Sequence, residues 1–488
     1  MTAGQVLDGV QLRRELAPAL AQRTVGGLAY DSRQVAKDFL FFAFAGSRVD
    51  GHAFARDAAA RGALAVVSEH PAPADFAASW IEVKHGRRAL ARASRNFYNQ
   101  PDERVLFTGI TGTNGKTTTS YLVDAIFREA GLITGLIGTI EYRLAKEILP
   151  APNTTPESLD VMRFAAELEQ RGGRRLIMEV SSHALALGRV FGIKFHTAVF
   201  TNLTRDHLDF HHTMEEYAAA KGLLFSPVDS PAPEWAVLNA DDSASRGMTG
   251  ASKTLWYGMS AQLHPENLRS GFDGLRFDLV FEGARQPVQS TLNGQINVMN
   301  ILAAAGVGLS YGMKLETIAR GIASCRSVPG RFERIDEGQP FLVVVDYAHT
   351  DDALRNVITV ARNLTRGRVI TLFGCGGDRD RSKRPLMGMA AAELSDFVVL
   401  TSDNPRSEDP LDIMNDAMVG IRRFDTLHIA EPDRAKAIRL AIAEAKQGDV
   451  LLLAGKGHET YQVLKDKTIA FDDREVARRV LNDSGYSG

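Results

Sequence analysis

The residues with the clearest potential for chemistry form the run Thr-Gly-Thr-Asn-Gly-Lys-Thr-Thr at positions 111–118. Its glycines, Gly112 and Gly115, let backbone N–H groups approach phosphate oxygens, and a helix that starts here adds partial positive charge. Lys116 supplies a full positive charge, and the Thr117 hydroxyl can reach a magnesium ion. The run predicts a nucleotide triphosphate site, completed by Thr113, Asn114 and Thr118.

This loop departs from the standard P-loop because Ile110 stands where that motif has its first glycine. A glycine-rich turn between a strand and a helix, with no ligand, is therefore the alternative. The Lys-Thr-Thr ending and the position between an apolar run and an amphipathic run favour phosphate binding.

Two polar segments follow apolar runs further along the chain. Glu179 begins Glu-Val-Ser-Ser-His, and His207 lies in Asn-Leu-Thr-Arg-Asp-His-Leu-Asp at residues 202–209. If both runs are parallel strands, their carboxyl ends lie at the same sheet edge as the loop, which suits a magnesium ion held by one or two protein groups. Taken singly, each residue is as well explained by a structural role, and His211 and His212 are assigned none.

Lys221 lies in a mostly apolar helical stretch at residues 217–225. Composition alone makes it a surface lysine whose stem packs on its neighbours.

Three polar motifs occupy the C-terminal third of the chain: Gly-Cys-Gly-Gly-Asp-Arg-Asp-Arg at 374–381, Asp-Asn-Pro-Arg at 403–406 and Gly-Lys-Gly-His-Glu at 455–459. The first follows an apolar run, as a dinucleotide-binding motif would. Its spacing does not match Gly-x-Gly-x-x-Gly, so a dinucleotide site is not supported.

The secondary-structure elements that must position these residues are predicted to form an α/β fold. After residue 101, short apolar runs alternate with longer amphipathic ones, as in parallel sheets covered by helices. Strands are predicted at 39–44, 63–67, 105–110, 176–180, 197–201, 341–345, 369–373, 397–400 and 450–453, and helices at 87–98, 117–130 and 298–309 and beginning near 352, 384, 411 and 434. Breaks near Pro101 and Pro329 predict three domains, 1–100, 101–332 and 333–488, the last doubly wound.

Composition excludes several classes of protein. A formal net charge of -2 offers no basic surface for nucleic acid, and only Cys325 and Cys375 are present, so neither a disulfide framework nor a cysteine metal site is supported. No run of about 18 apolar residues and no signal-peptide pattern is found. We expect a cytoplasmic protein without a transmembrane segment.

Taken together, the loop, Glu-Val-Ser-Ser-His, the 202–209 segment and Tyr-Ala-Ala-Ala-Lys at 217–221 resemble the Mur ligase family, the ATP-dependent amide-forming enzymes of peptidoglycan precursor synthesis. The resemblance covers nearly the whole chain and includes Asp31-Ser32-Arg33, Asp50-Gly51-His52 and Asn153-Thr154-Thr155-Pro156. It implies an N-terminal α/β UDP-binding domain, a central P-loop-like parallel-sheet ATPase domain and a C-terminal Rossmann-like domain.

The resemblance also implies roles at the nucleotide. Lys116 and Thr117 would hold ATP phosphates, and Glu179 and His207 would bind Mg²⁺ together with Lys221, carbamylated to N6-carboxylysine. These four, Lys116, Glu179, His207 and Lys221, would be the catalytic residues, with Thr117 a further metal ligand. The remaining implied nucleotide contacts are the adenine-side Asn297 and Asn300, Arg331 and the ribose-side Asp346. Helix capping by Asn297 remains the alternative for that residue.

For a UDP-N-acetylmuramoyl dipeptide substrate, the resemblance implies that Ser32 contacts the uridine part. The sugar and peptide part would be bound by Asn153, Thr154, Thr155, Ser181 and Arg189. Leu187 stands where relatives often carry a glutamine, so one hydrogen bond worth about 1 kcal/mol is absent there. Asp351 likewise replaces a frequent proline, a change at the level of a turn.

The motif Asp403-Asn404-Pro405-Arg406 resembles that of the family branch that adds meso-diaminopimelate. The chemistry agrees, because a guanidinium grips a distal carboxylate with two parallel hydrogen bonds. Arg379 and Arg406 would do this, with Asn404, Gly455 and Glu459 nearby and Glu459 paired with the distal ammonium. Arginines in surface ion pairs are the alternative.

The resemblance implies a monomeric ligase that joins meso-diaminopimelate to the D-glutamate of the muramoyl dipeptide, using ATP and passing through an acyl phosphate. A lysine-adding homologue and a folylpolyglutamate-type synthetase are the nearest rival ligases. A nucleotide-binding scaffold protein without activity is the rival from another class.

Overall fold

The computed structural model describes residues 1–46, 49–271 and 273–486. These residues form three large sheets, each with a hydrophobic core of its own, and one small hairpin. Each large sheet lies inside one of the three predicted ranges. Residues 47, 48, 272, 487 and 488 of those ranges lie outside the described residues. The boundaries at 100/101 and 332/333 stay predictions.

The first sheet has four parallel strands in the order β1-β2-β3-β4. The central run Phe39–Ala43 forms because aromatic and aliphatic side chains fit a pleated surface buried on both faces. The elements are α1 (Ala3–Val6), α2 (Pro18–Ala21), β1 (Gly27–Ala29), β2 (Phe39–Ala43), α3 (Ala55–Ala60), β3 (Ala65–Ser68), β4 (Trp80–Glu82) and α4 (Gly86–Phe97).

The second sheet has eleven strands, in the order β15-β14-β13-β12-β11-β10-β5-β9-β6-β7-β8. Helices α5, α10 and α11 pack on one face, with the core around Ile126, Ile301 and Ile318. The strands are β5 (Leu106–Thr111), β6 (Thr134–Ile137), β7 (Glu141–Leu144), β8 (Glu147–Pro150), β9 (Arg175–Glu179), β10 (Phe195–Phe200), β11 (Trp235–Asn239), β12 (Lys253–Tyr257), β13 (Leu263–Gly271), β14 (Gly274–Phe281) and β15 (Ala284–Ser290). The helices are α5 (Lys116–Glu129), α6 (Ser158–Gln170), α7 (Ser182–Ala186), α8 (Leu208–His211), α9 (Met214–Gly222), α10 (Gln295–Ser310) and α11 (Leu315–Ser324).

The third sheet has six strands in the order β16-β17-β21-β18-β19-β20, with helices on both faces. Its elements are β16 (Glu333–Ile335), β17 (Leu342–Asp346), α12 (Asp351–Leu364), β18 (Val369–Phe373), α13 (Lys383–Leu394), β19 (Phe397–Thr401), α14 (Pro410–Ile421), β20 (Leu427–Glu431), α15 (Arg434–Glu444), β21 (Val450–Ala454) and α16 (Asp473–Asp483). Strands β22 (Tyr461–Val463) and β23 (Thr468–Ala470) pair as the hairpin.

The predicted α/β class with three domains is confirmed, with one correction to the central sheet. Its strands from β13 to β6 are parallel, but β6-β7-β8 at one edge and β13-β14-β15 at the other are antiparallel. In β7 and β14, polar and apolar side chains largely alternate, as expected where one face of a sheet meets solvent. Buried β5 and β9 lie in the middle, so the predicted loop and Glu179 occupy adjacent strand ends.

Within the described part of the chain, every helix is too short or too polar to cross a bilayer.

Candidate active site

The predicted phosphate loop joins the middle strand β5 to helix α5. Gly112 and Gly115 have φ angles of 145° and 86°, which disfavour any residue with a side chain. A Cβ atom on Gly115 would also lie 2.3 Å from Oδ1 of Asn300. Glycine at position 115 is therefore needed both for the backbone conformation and for the close approach of helix α10.

The ammonium of Lys116 folds back over the loop. Its Nζ donates hydrogen bonds of 2.9 Å to the carbonyl oxygens of both Gly112 and Thr113. Burial lowers the pKa of Lys116, while the charges of Glu179 and Asp206 act in the opposite direction. The Lys116 ammonium is therefore already positioned to pair with an anion bound in the loop.

A segment after β10 holds the outer part of the loop. The backbone N–H of Asn114 donates to Oδ1 of Asn202 at 2.9 Å, and the Thr113 hydroxyl lies 3.1 Å from that of Tyr217. Thr118 is buried in the first turn of α5. The loop is thus held by two other segments, the one after β10 and helix α9.

Glu179, at the end of β9, is 1% exposed, and both of its carboxylate oxygens accept hydrogen bonds. Its Oε2 accepts hydrogen bonds of 3.0 Å from the hydroxyls of Thr117 and Thr139, and its Oε1 accepts one of 2.9 Å from the Thr139 N–H. The two predicted oxygen donors to a metal, Thr117 and Glu179, therefore lie side by side.

His207 lies at the turn into α8, with a left-handed φ of 53°. Its ring meets that of His183 edge-on at 4.8 Å. Burial, aided by His183 and Lys116 and opposed by Asp206, lowers the pKa of His207 to about 3. The imidazole is therefore neutral at physiological pH, the form in which histidine binds a metal.

Lys221 is 1% exposed, so the composition-based expectation of a surface lysine is wrong. Its Nζ lies over the ring of Tyr217, 4.2 Å from the centroid. No carboxylate of the described residues comes within 4.0 Å of this amine. Burial, together with the charge of Lys116, lowers the pKa of Lys221 well below its ordinary value.

The donor set fits a magnesium ion better than a metal held by protein alone. No group of three or more His, Cys, Asp or Glu side chains suited to a metal occurs among residues 1–46, 49–271 and 273–486. Mg²⁺ keeps several waters and phosphate oxygens, so one hydroxyl and one carboxylate, such as Thr117 and Glu179, are enough.

Asn297 and Asn300 lie in the first turns of α10, beside the loop. Helix α10 begins at Gln295 with Gly294 as its N-cap, so Asn297 does not cap the helix. Its Nδ2 donates to the Asn293 carbonyl at 2.7 Å, and its Oδ1 accepts from Asn300 at 2.9 Å.

Arg331 reaches the loop from the junction with the third sheet. Its Nη2 donates a 3.0 Å hydrogen bond to the Thr117 hydroxyl, and its guanidinium lies 4.8 Å from the Tyr347 ring centroid. Asp346, at the end of β17, accepts from the N–H groups of Phe332 and Ala348 at 2.7 and 2.8 Å. Burial raises the pKa of Asp346, although Arg331 opposes the shift.

The residues predicted for the sugar and peptide part surround Glu179. The Thr154 hydroxyl lies 3.1 Å from that of Thr139, and the Thr155 hydroxyl donates to the Glu179 carbonyl at 2.8 Å. Ser181 caps helix α7 and donates its N–H to the Thr155 hydroxyl at 3.0 Å. Asn153 contributes its carbonyl to the Tyr142 hydroxyl at 2.5 Å.

Glu157 joins this region to the first domain. Its Oε1 accepts from Arg189 at 3.1 Å and from Arg87 of α4 at 3.4 Å. Ser32, the contact predicted in the first domain, is buried, and its hydroxyl lowers the pKa of Asp57.

In the third domain, Asn404 and Glu459 are in direct contact. Asn404 Nδ2 donates to Glu459 Oε2 at 2.8 Å. Lys456 Nζ donates to the same oxygen at 2.9 Å and lies 3.9 Å from Oδ1 of Asp403. Gly455, with φ of 110°, lets the chain pass Asp403, whose Oδ2 would be 2.7 Å from a Cβ there.

Arg406 and Arg379 flank Gly376. A Cβ at Gly376 would lie 3.1 Å from Nη1 of Arg406 and 3.7 Å from Cγ of Arg379. Arg406 donates to the Gly377 carbonyl at 2.6 Å, and Arg379 is exposed. Pro405 lies between Asn404 and Arg406, and its carbonyl packs on Gly377. The side chains of both arginines therefore border one small loop.

Three family models match the chain in order. They are the Mur ligase family, catalytic domain, at residues 24–98, the Mur ligase middle domain at 110–308, and the Mur ligase, glutamate ligase domain, at 330–457. The chain belongs to the Mur ligase family.

Known proteins resemble this Mur ligase along its whole length. A Solibacter usitatus protein named UDP-N-acetylmuramoyl-L-alanyl-D-glutamate--2,6-diaminopimelate ligase is 65% identical over 490 residues, which is 100% of this chain and 99% of the relative. A solved structure with the same name is 32% identical, covers 100% of both chains and has a TM-score of 0.71. The MurF ligase of Thermotoga maritima, solved in complex with ADP, shares the fold at a TM-score of 0.64, with 18% identity over 93% of this chain and 96% of that one.

The geometry of this Mur ligase adds residues that the sequence analysis missed. Asp206 is buried and forms an ion pair with Lys383 of α13, across the second and third domains. Burial raises the pKa of Asp206, but His207, Lys383 and His349 together lower it below its ordinary value. Lys456 has glycine on both sides, a pattern typical of an exposed loop, yet its side chain is 0% exposed.

Proposed function

We propose that this Mur ligase is an ATP-dependent amide ligase that adds meso-2,6-diaminopimelate to the D-glutamate of UDP-N-acetylmuramoyl-L-alanyl-D-glutamate, in peptidoglycan precursor synthesis. The observation that carries the proposal is 65% identity along the entire chain to a relative with that name. Two parts of the chain would supply the chemistry: the phosphate loop with Lys116 on one domain, and Arg379, Arg406 and Glu459 on another.

The loop side would activate the acid. A carboxylate is a poor electrophile, and transfer of the ATP γ-phosphoryl group to the D-glutamate γ-carboxylate makes it an acyl phosphate. Lys116 would stabilise charge on the transferred group, because its ammonium lies over the loop. Thr117 and Glu179 would hold Mg²⁺, which neutralises phosphate charge when bound. Arg331, at the junction with the third domain, would fix Thr117.

The third-domain side would hold the amine. Arg379 and Arg406 would grip the distal carboxylate of diaminopimelate, and Glu459 with Asn404 would bind its distal ammonium. The reacting amine then attacks the acyl phosphate, phosphate leaves, and an amide forms. Because the substrates are held on different domains, we expect domain closure to bring them together.

We also propose that Lys221 carries a carbamate. The support is an amine that is almost fully buried and lies over the Tyr217 ring, with no carboxylate of the described residues within 4.0 Å. Uncharged amines react with carbon dioxide, and the resulting carboxylate would give a cation in the site an additional hard oxygen ligand. Asn297, Asn300 and Asp346 would contact the adenosine part of ATP.

The remaining contacts concern the nucleotide sugar. Ser32 would contact uridine, and Asn153, Thr154, Thr155, Ser181 and Arg189 the sugar and peptide. We propose further that the enzyme works as a monomer in the cytoplasm and takes only small-molecule substrates.

The test is phosphate release by the purified protein with ATP, Mg²⁺ and the UDP-muramoyl dipeptide, supplied with meso-diaminopimelate, L-lysine or no amine. We expect release with meso-diaminopimelate and a new amide in the product by mass spectrometry. Lys116→Ala is the inactive control and Lys253→Ala the matched control on an exposed lysine. Preference for lysine would favour the lysine-adding homologue, and no amine-dependent release would favour a scaffold protein.

A further inference from the structure

The GKGHE loop contains a lysine that none of the assigned roles uses. Lys456 is fully buried, with a side chain that is 0% exposed, whereas Asp403 and Glu459 beside it are 9% and 13% exposed. The ammonium therefore lies behind two carboxylates that are nearer the surface. Lysine is almost never fully buried unless it is paired, so these contacts call for an explanation.

Only one of the two carboxylate oxygens of Glu459 accepts hydrogen bonds from the described residues. Lys456 Nζ and Asn404 Nδ2 both donate to Oε2, at 2.9 and 2.8 Å. No donor among the described residues is bonded to Oε1. One oxygen of the carboxylate is thus held by the protein, and the other is left for a group that enters from the open side.

Asn404 is held in the orientation that this arrangement needs. Its Oδ1 accepts from the N–H of Val463 at 2.9 Å and from Lys456 Nζ at 3.3 Å. These two donors fix the oxygen end of the amide, so that Nδ2 must point at Glu459. Lys456 therefore acts on Glu459 both directly and through Asn404.

The charges point the same way. Asp403 and Glu459 contribute two negative charges, and Lys456 contributes one positive charge. The nearby guanidinium of Arg434 is matched by Asp473 in a fully buried pair. Asp403, Glu459 and Lys456 together carry one net negative charge, which is the charge that a single substrate ammonium would balance.

We propose that Lys456 is a positioning residue that holds Glu459 by Oε2, so that Oε1 pairs with the distal ammonium of a diamino-diacid substrate. The proposal rests on the proposed function, in which Glu459 binds that ammonium. Lys456 itself does not touch the substrate. Its effect is on selection of the distal amine.

The experiment compares meso-diaminopimelate with 2-aminopimelate, which keeps both carboxylates but lacks the distal amine. For each variant, kcat/KM is measured with both amino acids, and KM is measured for ATP and for the UDP-muramoyl dipeptide. The variants are Lys456→Met, Lys456→Gln, Glu459→Gln and the double variant Lys456→Met/Glu459→Gln. Lys465→Met, on an exposed lysine of the neighbouring hairpin, is the matched control.

We expect Lys456→Met to reduce the preference for meso-diaminopimelate over 2-aminopimelate by about tenfold or more, with both other KM values little changed. Glu459→Gln should reduce the same preference. The double variant should lose no more than Glu459→Gln alone, because Lys456 acts through Glu459. Lys456→Gln keeps a hydrogen-bond donor without the charge and should retain part of the preference.

An unchanged preference in Lys456→Met, or additive losses in the double variant, would overturn the proposal while leaving the role of Glu459 intact. An unchanged preference in Glu459→Gln would instead overturn the assignment of Glu459, and with it the proposed ammonium site. If Lys456→Met and Lys456→Gln both fail to fold while Lys465→Met folds, Lys456 has a structural role and the proposal is wrong.

Discussion

Nη2 of Arg331 donates a 3.0 Å hydrogen bond to the hydroxyl of Thr117. The same hydroxyl donates to Glu179, so two consecutive hydrogen bonds, through Thr117, link a residue at the junction with the third domain to the predicted metal carboxylate. The phosphate loop therefore includes a group from outside the central sheet. Its geometry depends on where the third domain lies.

Replacing Arg331 with methionine should weaken ATP binding. The variant loses the hydrogen bond to Thr117 and a cation beside the phosphates, so KM for ATP should rise by about tenfold, since hydrogen bonds to charged groups contribute roughly 1.5–3 kcal/mol. Steady-state kinetics with ATP varied will measure this. Arg479→Met, on an exposed arginine of α16, should leave KM unchanged. An equal KM in the two variants would remove Arg331 from the nucleotide site.

Replacing Lys221 with alanine should reduce kcat by about 10²-fold, the scale of losses when a group that supports a metal site is removed. The variant leaves a space in which a small carboxylic acid can stand in for the carbamate. Formate or acetate should therefore restore part of the activity. Lys116→Ala should not respond to these acids. If Lys221→Ala keeps full activity, the carbamate is not required.

Replacing Arg406 with lysine should reduce kcat/KM for meso-diaminopimelate by about 10²-fold or more, because an ammonium cannot make two parallel hydrogen bonds to a carboxylate. The low activity with L-lysine, which lacks that carboxylate, should change little. Competition assays with both amino acids will measure the ratio. Arg381→Lys, on an arginine that pairs with Asp416, is the matched control. A ratio equal to that of the control would exclude a bidentate role for Arg406.

Replacing Asp351 with proline should be tolerated. Asp351 is the first residue of α12, a position that proline favours, and its carboxylate lies 3.8 Å from Arg205. We expect turnover close to that of the unchanged protein and a free energy of unfolding changed by less than about 1 kcal/mol, the upper range of exposed ion pairs. Urea unfolding will measure it. A large loss of activity would show that the Arg205 contact has a functional role.

His458 should make the protein less stable in acid. Burial, with Arg331 and Arg474, lowers the pKa of His458 to about 3, below its ordinary 6.5. The unfolded chain therefore takes up the proton first as pH falls, and folding stability is lost from pH 6.5 downward, by at most about 1.4 kcal/mol per pH unit. Above pH 6.5 the residue has no such effect.

The variant His458→Asn should lack this loss. Urea unfolding at pH 7, 6 and 5 should show a shallower fall in the free energy of unfolding than in the unchanged protein. His428→Asn, on an exposed histidine, should follow the unchanged protein. Parallel curves for His458→Asn and the unchanged protein would contradict the prediction.

The phosphate loop could be predicted because its information is local. The identities of Gly112, Gly115 and Lys116, between an apolar run and an amphipathic one, specify strand, turn and helix without distant contacts. Helix α5 begins at Lys116, one residue before the predicted start. Buried parallel strands such as β18, Val369–Phe373, are long apolar runs and were located for the same reason.

Long-range packing explains what could not be predicted. Lys221 is buried because α9 packs against α7 and the phosphate loop. An alanine-rich helical sequence does not predict which elements it will pack against. The outer strands β13, β14 and β15 carry polar residues on one face and were not distinguished from connecting segments. From the sequence, Glu459 is expected to bind a substrate ammonium. That it also pairs with Lys456 depends on the fold, which places Lys456 beside Asn404.

Glu157 accepts hydrogen bonds from Arg87 of the first domain and Arg189 of the second. A protein without residues 1–100 would thus lose more than the proposed uridine contact. Glu157 would keep its hydrogen bond from Arg189 but lose the one from Arg87. By the contacts proposed above, the domain that would bind the uridine end also supports Arg189 at the peptide end, through Glu157. The affinity of an inhibitor that fills only the peptide end should therefore still depend on the first hundred residues.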